Sequence, residues 1–120
     1  MSKILLADDD GDMLKLTARW LERAGHTVIT AESGEEALAL LKSEKPELVI
    51  LDYAMPGMDG PAVFERIKGD PEYEDTPVLF RTGADDEGAT DVMEKLHPEG
   101  VVMKSEGKAA LMAAVEVALQ

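Results

Sequence analysis

Apolar residues along this chain fall into two kinds of run, short continuous blocks and longer stretches with a helical period. The strongest block, Leu48-Val49-Ile50-Leu51, runs straight into Asp52 and then into the loop Tyr53-Ala54-Met55-Pro56-Gly57-Met58-Asp59-Gly60. A continuous apolar run bounded by turn signals reads as a strand buried on both faces, as parallel sheets require. Lys3–Ala7, His26–Ala31, Pro77–Arg81 and Val101–Lys104 predict four more strands. Between the first two, Met13, Leu16, Thr17, Trp20, Leu21 and Ala24 recur at helical spacing up to a stop at Gly25, which puts Trp20 in the core. Ser33 and Glu36 form the capping-box pattern of a second helix, carried by Ala37, Leu38, Leu40 and Leu41 to about Ser43. Pro46 then breaks the pattern. Pro61 suits the first turn of a third helix with Val63, Phe64 and Ile67 inward, ended by Gly69-Asp70-Pro71. After the loop Thr82-Gly83-Ala84-Asp85-Asp86, the positions Ala89, Val92, Met93 and Leu96 outline a fourth. A last helix runs from about Gly107 or Lys108 to Leu119.

Strands alternating with helices on short connections predict an α/β fold: a doubly wound (βα)5 parallel sheet of five strands, helices on both faces. At 120 residues the chain is read as one domain, residues 1–120, large enough to bury a core without disulfides. Its 25 acidic against 12 basic residues leave a net charge of −13, which sets it against binding nucleic acid or an anionic membrane. It has no cysteine, so disulfides, thiolate catalysis and cysteine-based zinc sites are excluded. With no signal peptide and no apolar segment of membrane length, a cytoplasmic location is expected.

In a parallel sheet the carboxyl ends of the strands share one edge, where open α/β sheets place their ligands. That edge collects Asp8, Asp9 and Asp10 after the first strand, Asp52 at the third, Thr82 at the fourth and Lys104 at the fifth. Clustered carboxylates raise one another's pKa unless a cation neutralises them. A hard divalent ion such as Mg2+ resolves that conflict and keeps positions open for phosphate oxygens. Lys104 and Thr82 are suited to hold the other oxygens of a phosphoryl group. Asp10 and Asp12 read instead as cap and first-turn acids, and Asp59-Gly60 as turn chemistry. His26 and His97 take no catalytic role, Met55 and Met58 lie in the loop beside the site, and no glycine-rich nucleotide fingerprint follows any strand.

These residues together resemble the receiver domain of two-component response regulators, and the resemblance covers the whole chain. The family pattern stands here as Asp8-Asp9, Asp52 with Tyr53–Gly60 behind it, Thr82, and Lys104. The resemblance implies the flavodoxin-like strand order 2-1-3-4-5 and a phosphorylation-dependent signalling switch, not an enzyme beyond its own phosphorylation and dephosphorylation. Asp52 would be the phosphoacceptor, taking its phosphoryl group from a histidine kinase, a phosphotransfer protein or a small acyl phosphate. Asp9, Asp52 and the backbone carbonyl of Ala54 would hold Mg2+, with Mn2+ as the alternative ion, and Asp8 would help through water. Lys104 would pair with Asp52 at rest and with the phosphoryl group afterwards, while Thr82 would swing in toward a phosphoryl oxygen. The change would regulate an output domain or a partner protein. Met112, Ala113 and Val117, off the inward stripe of Leu111, Val115, Ala118 and Leu119, offer a surface on the last helix for a partner or a homodimer.

The chain departs from the family at several positions. Ser105 follows the lysine where proline is usual, Val101 stands where an aromatic is common, and Gly83 replaces alanine after the threonine. Ala54 and Ala84 leave the site's flanks without acids or amides. Val101 and Ser105 sustain a second reading, a pseudo-receiver that binds a partner without being phosphorylated. A third, a Mg2+-dependent phosphatase with an aspartyl nucleophile, wants a second acid where Ala54 stands and ranks last.

Overall fold

β1 (Lys3–Ala7) pairs in parallel with β2 (Thr27–Ala31) on one side and with β3 (Leu48–Asp52) on the other. β4 (Val78–Thr82) and β5 (Gly100–Met103) extend the sheet beyond β3, so the order is β2-β1-β3-β4-β5. The order reverses between β1 and β3, which opens a crevice beyond their carboxyl ends. The structure, a computed structural model, describes residues 2–83, 91 and 95–120.

Successive side chains of a strand leave on opposite faces, and here both faces are covered. Ile4, Leu6, Leu48, Ile50, Leu79 and Val102 pack against Leu14, Ala18 and Leu21 of α1 (Gly11–Arg23) and Leu111 and Val115 of α4 (Gly107–Ala118). The alternate residues Leu5, Ala7, Val49, Leu51, Val78 and Phe80 pack against Ala37 and Leu41 of α2 (Gly34–Glu44) and Val63, Phe64 and Ile67 of α3 (Gly60–Lys68). Every residue of β3 and β4 is buried, as their unbroken apolar runs require. The five-stranded parallel sheet with helices on both faces is thus the fold expected from the pattern. The helix expected over Ala89, Val92, Met93 and Leu96 lies mostly outside the described residues, of which Asp91, Lys95 and Leu96 are helical. The expectation for Ala84 also falls outside them.

Helix starts follow their capping residues. The Asp10 carboxylate accepts from the N–H groups of Asp12 and Met13, Ser33 Oγ from Glu36, and Asp59 Oδ1 from Ala62. Asp59, read as turn chemistry, is therefore the cap of α3. α2 ends on Lys45 in the left-handed conformation (φ 49°), directly before Pro46.

Several strand boundaries and one helix face differ from expectation. β2 starts at Thr27, β4 includes Thr82, and β5 stops at Met103, so that Lys104 opens a 3-10 turn, Lys104–Glu106. The turn is secured by the Met103 N–H donating to Glu106 Oε1 at 2.9 Å. It carries Ser105, and no described peptide bond is cis. On α1 the buried face is Leu14, Thr17, Ala18 and Leu21, while Leu16 is exposed and Trp20 is only half-buried at the rim of the core. The stripe read from the sequence is displaced, with Leu14 and Ala18 turned to the sheet in place of Leu16 and Trp20.

Candidate functional site

Asp52 ends β3 with its neighbours held on both sides. The Tyr53 N–H donates to the Arg81 carbonyl and the Gly60 N–H to the Tyr53 carbonyl, both at 2.9 Å. Gly60 is required by proximity: a Cβ there would lie 2.5 Å from the Asp52 carbonyl oxygen. Asp8 leaves β1 one residue beyond the sheet, its N–H donating to the Ala31 carbonyl and its Oδ1 accepting from the Asp10 N–H at 2.9 Å. Asp8 and Asp52 are both buried, whereas Asp9 is exposed. One oxygen from each of Asp8, Asp9 and Asp52 lies within 4.8 Å of the others.

Lys104 closes this cluster. Its Nζ sits 3.2 Å from Asp8 Oδ2 and 3.2 Å from Asp52 Oδ2, a single ammonium shared by two carboxylates. Thr82 stands at the same sheet edge, buried, one position beyond the register partner of Asp52. Ala54 lines an open cleft of about 330 Å3 with Asp9, Tyr53, Met55, Pro56 and Asp59. The edge therefore brings together the residues that the sequence nominates.

Burial, with the Asp8 carboxylate beside it, raises Asp52 from its ordinary 3.8 to about 7, against the pull of Lys104. Burial alone would lower Lys104, but Asp52 and Asp8 outweigh it and raise the ammonium above its ordinary value. Lys104 thus stays charged, and the carboxylate it serves is the unstable partner.

The sequence reading missed Arg81. It took this residue as the end of a strand, yet Arg81 is 2% exposed and lies in register beside Asp52. Register partners project from the same face of a sheet. On that face Arg81 Nη1 donates to Thr17 Oγ1 of α1 at 2.9 Å. The one available signal was a charge closing an otherwise apolar strand run, Val78-Leu79-Phe80-Arg81.

Chemically, three converging carboxylates suit a hard, oxygen-preferring cation, and such an ion would offset the burial and the Asp8 charge that raise Asp52. The same sheet edge sets a buried carboxylate, Asp52, 3.2 Å from a lysine ammonium.

Comparison with known proteins agrees with the geometry. The family model described as the response regulator receiver domain matches residues 4–116. The chain is 36% identical to Protein PilH of Pseudomonas aeruginosa over 115 residues, covering 88% of this chain and 94% of that protein. It is 38% identical over 102 residues, 78% of its length, to the alkaline phosphatase synthesis transcriptional regulatory protein PhoP of Bacillus subtilis, of which it spans 42%. Among solved structures it superposes on the chemotaxis protein CheY4 of Vibrio cholerae with a TM-score of 0.90 at 26% identity, covering 99% of each chain. It superposes on a putative response regulator of Chloroflexus aurantiacus with a TM-score of 0.92 at 28% identity, covering 98% of this chain and 97% of that one. The chain belongs to the response regulator receiver family of two-component signalling.

Proposed function

We propose that this receiver is a Mg2+-dependent switch whose phosphoacceptor is Asp52. The observation that carries the reading is Lys104 Nζ at 3.2 Å from both Asp8 and Asp52, at the edge of a three-carboxylate cluster. Asp8, Asp9 and Asp52, with the Ala54 carbonyl, are the groups that would hold the ion, and the ion supplies charge neutralisation to the transferring phosphoryl group. A carboxylate oxygen of Asp52 attacks phosphorus in line with the leaving group. A P–O bond to the aspartate forms as the bond to a phosphohistidine nitrogen or an acyl phosphate oxygen breaks, and the departing group keeps that electron pair. Lys104 shifts from the two carboxylates to a phosphoryl oxygen, and Thr82 offers its hydroxyl to another. The switch then biases a conformational equilibrium that already exists in the free protein.

The donor is a histidine kinase or phosphotransfer protein, and the readout passes to an output domain or a partner protein. Val117, 67% exposed on α4, together with the exposed Ala113, gives that helix an apolar outer side suited to such a contact or to a second copy. Val101, half-buried against the core, has no ring to turn inward with Thr82, so any coupling there runs by a different side chain.

The test is incubation with acetyl phosphate, with and without Mg2+, read by intact mass. The wild type is expected to gain one phosphoryl adduct only with Mg2+, and Asp52→Asn none. An adduct persisting in Asp52→Asn would move the acceptor elsewhere. No adduct in the wild type, with acetyl phosphate or a kinase, would favour the phosphorylation-independent binding module.

A further inference from the structure

Arg81 has no part in the chemistry described above, yet it is a charge buried in the molecule's core. It is 2% exposed, its Nε is buried without a hydrogen-bond partner, and among the described residues no carboxylate forms an ion pair with it. Its register neighbours on the two sides are Asp52 and Val102, and Leu79 precedes it on the same face. A buried guanidinium with an unsatisfied donor is costly unless a nearby field favours the charge. Burial lowers Arg81 from its ordinary value, and Asp8 and Asp52 supply an opposing field that favours the charge without cancelling the effect of burial. Thr17 Oγ1, 2.9 Å from Nη1, ties the group to α1.

Two cations therefore serve the acidic cluster, and they differ in kind. Lys104 reaches in on a partly exposed chain, bonds the carboxylates directly and can move with them. Arg81 is walled in by the sheet and α1 and cannot leave. A charge that cannot leave acts on every ion entering the cleft, repelling a cation and attracting an anion.

We propose that Arg81 is a positioning residue that sets the charge of the acidic site: tethered by Thr17, it keeps a permanent positive charge beside Asp52 and thereby weakens divalent-cation binding. The proposal rests on the reading of Asp8, Asp9 and Asp52 as the cation site. Its effect has a sign that a purely structural residue would not produce. Removing a residue that only packs the core would leave Mg2+ binding unchanged or weaken it, whereas removing a repelling charge must strengthen it.

The experiment is calorimetric titration of the metal-free protein with MgCl2 at fixed ionic strength, for wild type, Arg81→Met and Arg81→Lys. Arg81→Met is expected to bind Mg2+ about tenfold more tightly, the size of effect one charge exerts across a partly screened site. Arg81→Lys, which keeps the charge, should stay close to wild type. Should the methionine variant fail to fold, Arg81→Gln removes the charge while retaining a donor for Thr17, and it carries the same expectation. Equal or weaker binding by a folded, neutral variant would overturn the proposal while leaving the phosphoacceptor reading standing. A wild type that binds no Mg2+ would overturn both.

Discussion

Asp52 is held where ionisation is difficult, and that has a measurable consequence. Its pKa in the folded protein, about 7, lies above its ordinary 3.8, so the folded chain keeps a proton that the unfolded chain releases. A group raised in this way contributes stability in full below the lower value and loses it as pH rises through the upper one. The metal-free protein should therefore lose stability from this residue between about pH 4 and pH 7 and remain flat above. Thermal melts in chelator for wild type and Asp52→Asn isolate the contribution. The variant should gain on the wild type as pH rises, by several degrees at pH 8, and parallel curves would show that Asp52 is ionised throughout. At this scale the sequence was informative wherever a polar residue ends a strand: Asp8, Asp9, Asp52, Thr82 and Lys104 could all be placed at one edge from position. Arg81 could not. An arginine closing an apolar run looks like the point where a strand meets water, and the group that accounts for it, Thr17, is 64 residues away.

Between β3 and α3 the chain turns within Tyr53–Asp59, and the Gly60 N–H donating to the Tyr53 carbonyl holds the turn closed, with Gly60 close against the Asp52 carbonyl. Two effects oppose each other in Gly60→Ala. Alanine in the first turn of a helix ordinarily adds ~0.4–1 kcal/mol through the unfolded chain. Here its Cβ would meet backbone oxygen at 2.5 Å and the Phe80 ring at 3.2 Å, and backbone cannot rotate aside. Overpacking of this kind costs about 1–3 kcal/mol, so the clash should win. Urea denaturation is expected to show net destabilisation, and a variant more stable than wild type would mean that α3 can slide away from the sheet at little expense. Helix starts were legible because Asp10 and Ser33 bond their own first turns and Pro61 suits one, a purely local matter, although the cap of α3 proved to be Asp59, read as turn chemistry. The buried face of α1 was not, because Leu16 and Leu14 are equally apolar and only the sheet selects between them. The end of β5 was misplaced for a related reason: Glu106, beyond the strand, draws the chain into a turn that apolar pattern does not encode.

The whole molecule carries a net charge of −13, and self-repulsion at that level opposes the compact state. NaCl should raise the melting temperature by screening alone. Millimolar MgCl2 at matched ionic strength should raise it further, because a ligand that binds only the folded protein adds stability by mass action. That surplus should vanish in Asp52→Asn, and a surplus that survived would place the ion among other surface acids. Fold and strand alternation were readable at this scale because buried parallel strands leave continuous apolar runs between helical ones. What sequence order alone does not specify is which strand-end side chains share a face, and that is where Arg81 joined the site.

The tether of Arg81 falls on the helix that carries the chain's native fluorophore. Trp20, the chain's one tryptophan, sits on α1 three residues beyond Thr17, half in the core and half in solvent. An indole at such a boundary emits according to the polarity around it, and here it lies less than one helical turn from the hydroxyl that anchors the buried guanidinium. Should ion binding shift the Arg81–Thr17 pair, the Trp20 emission maximum is expected to move with it, which a MgCl2 titration of the unlabelled protein checks; an unmoved maximum would show that α1 does not follow the site.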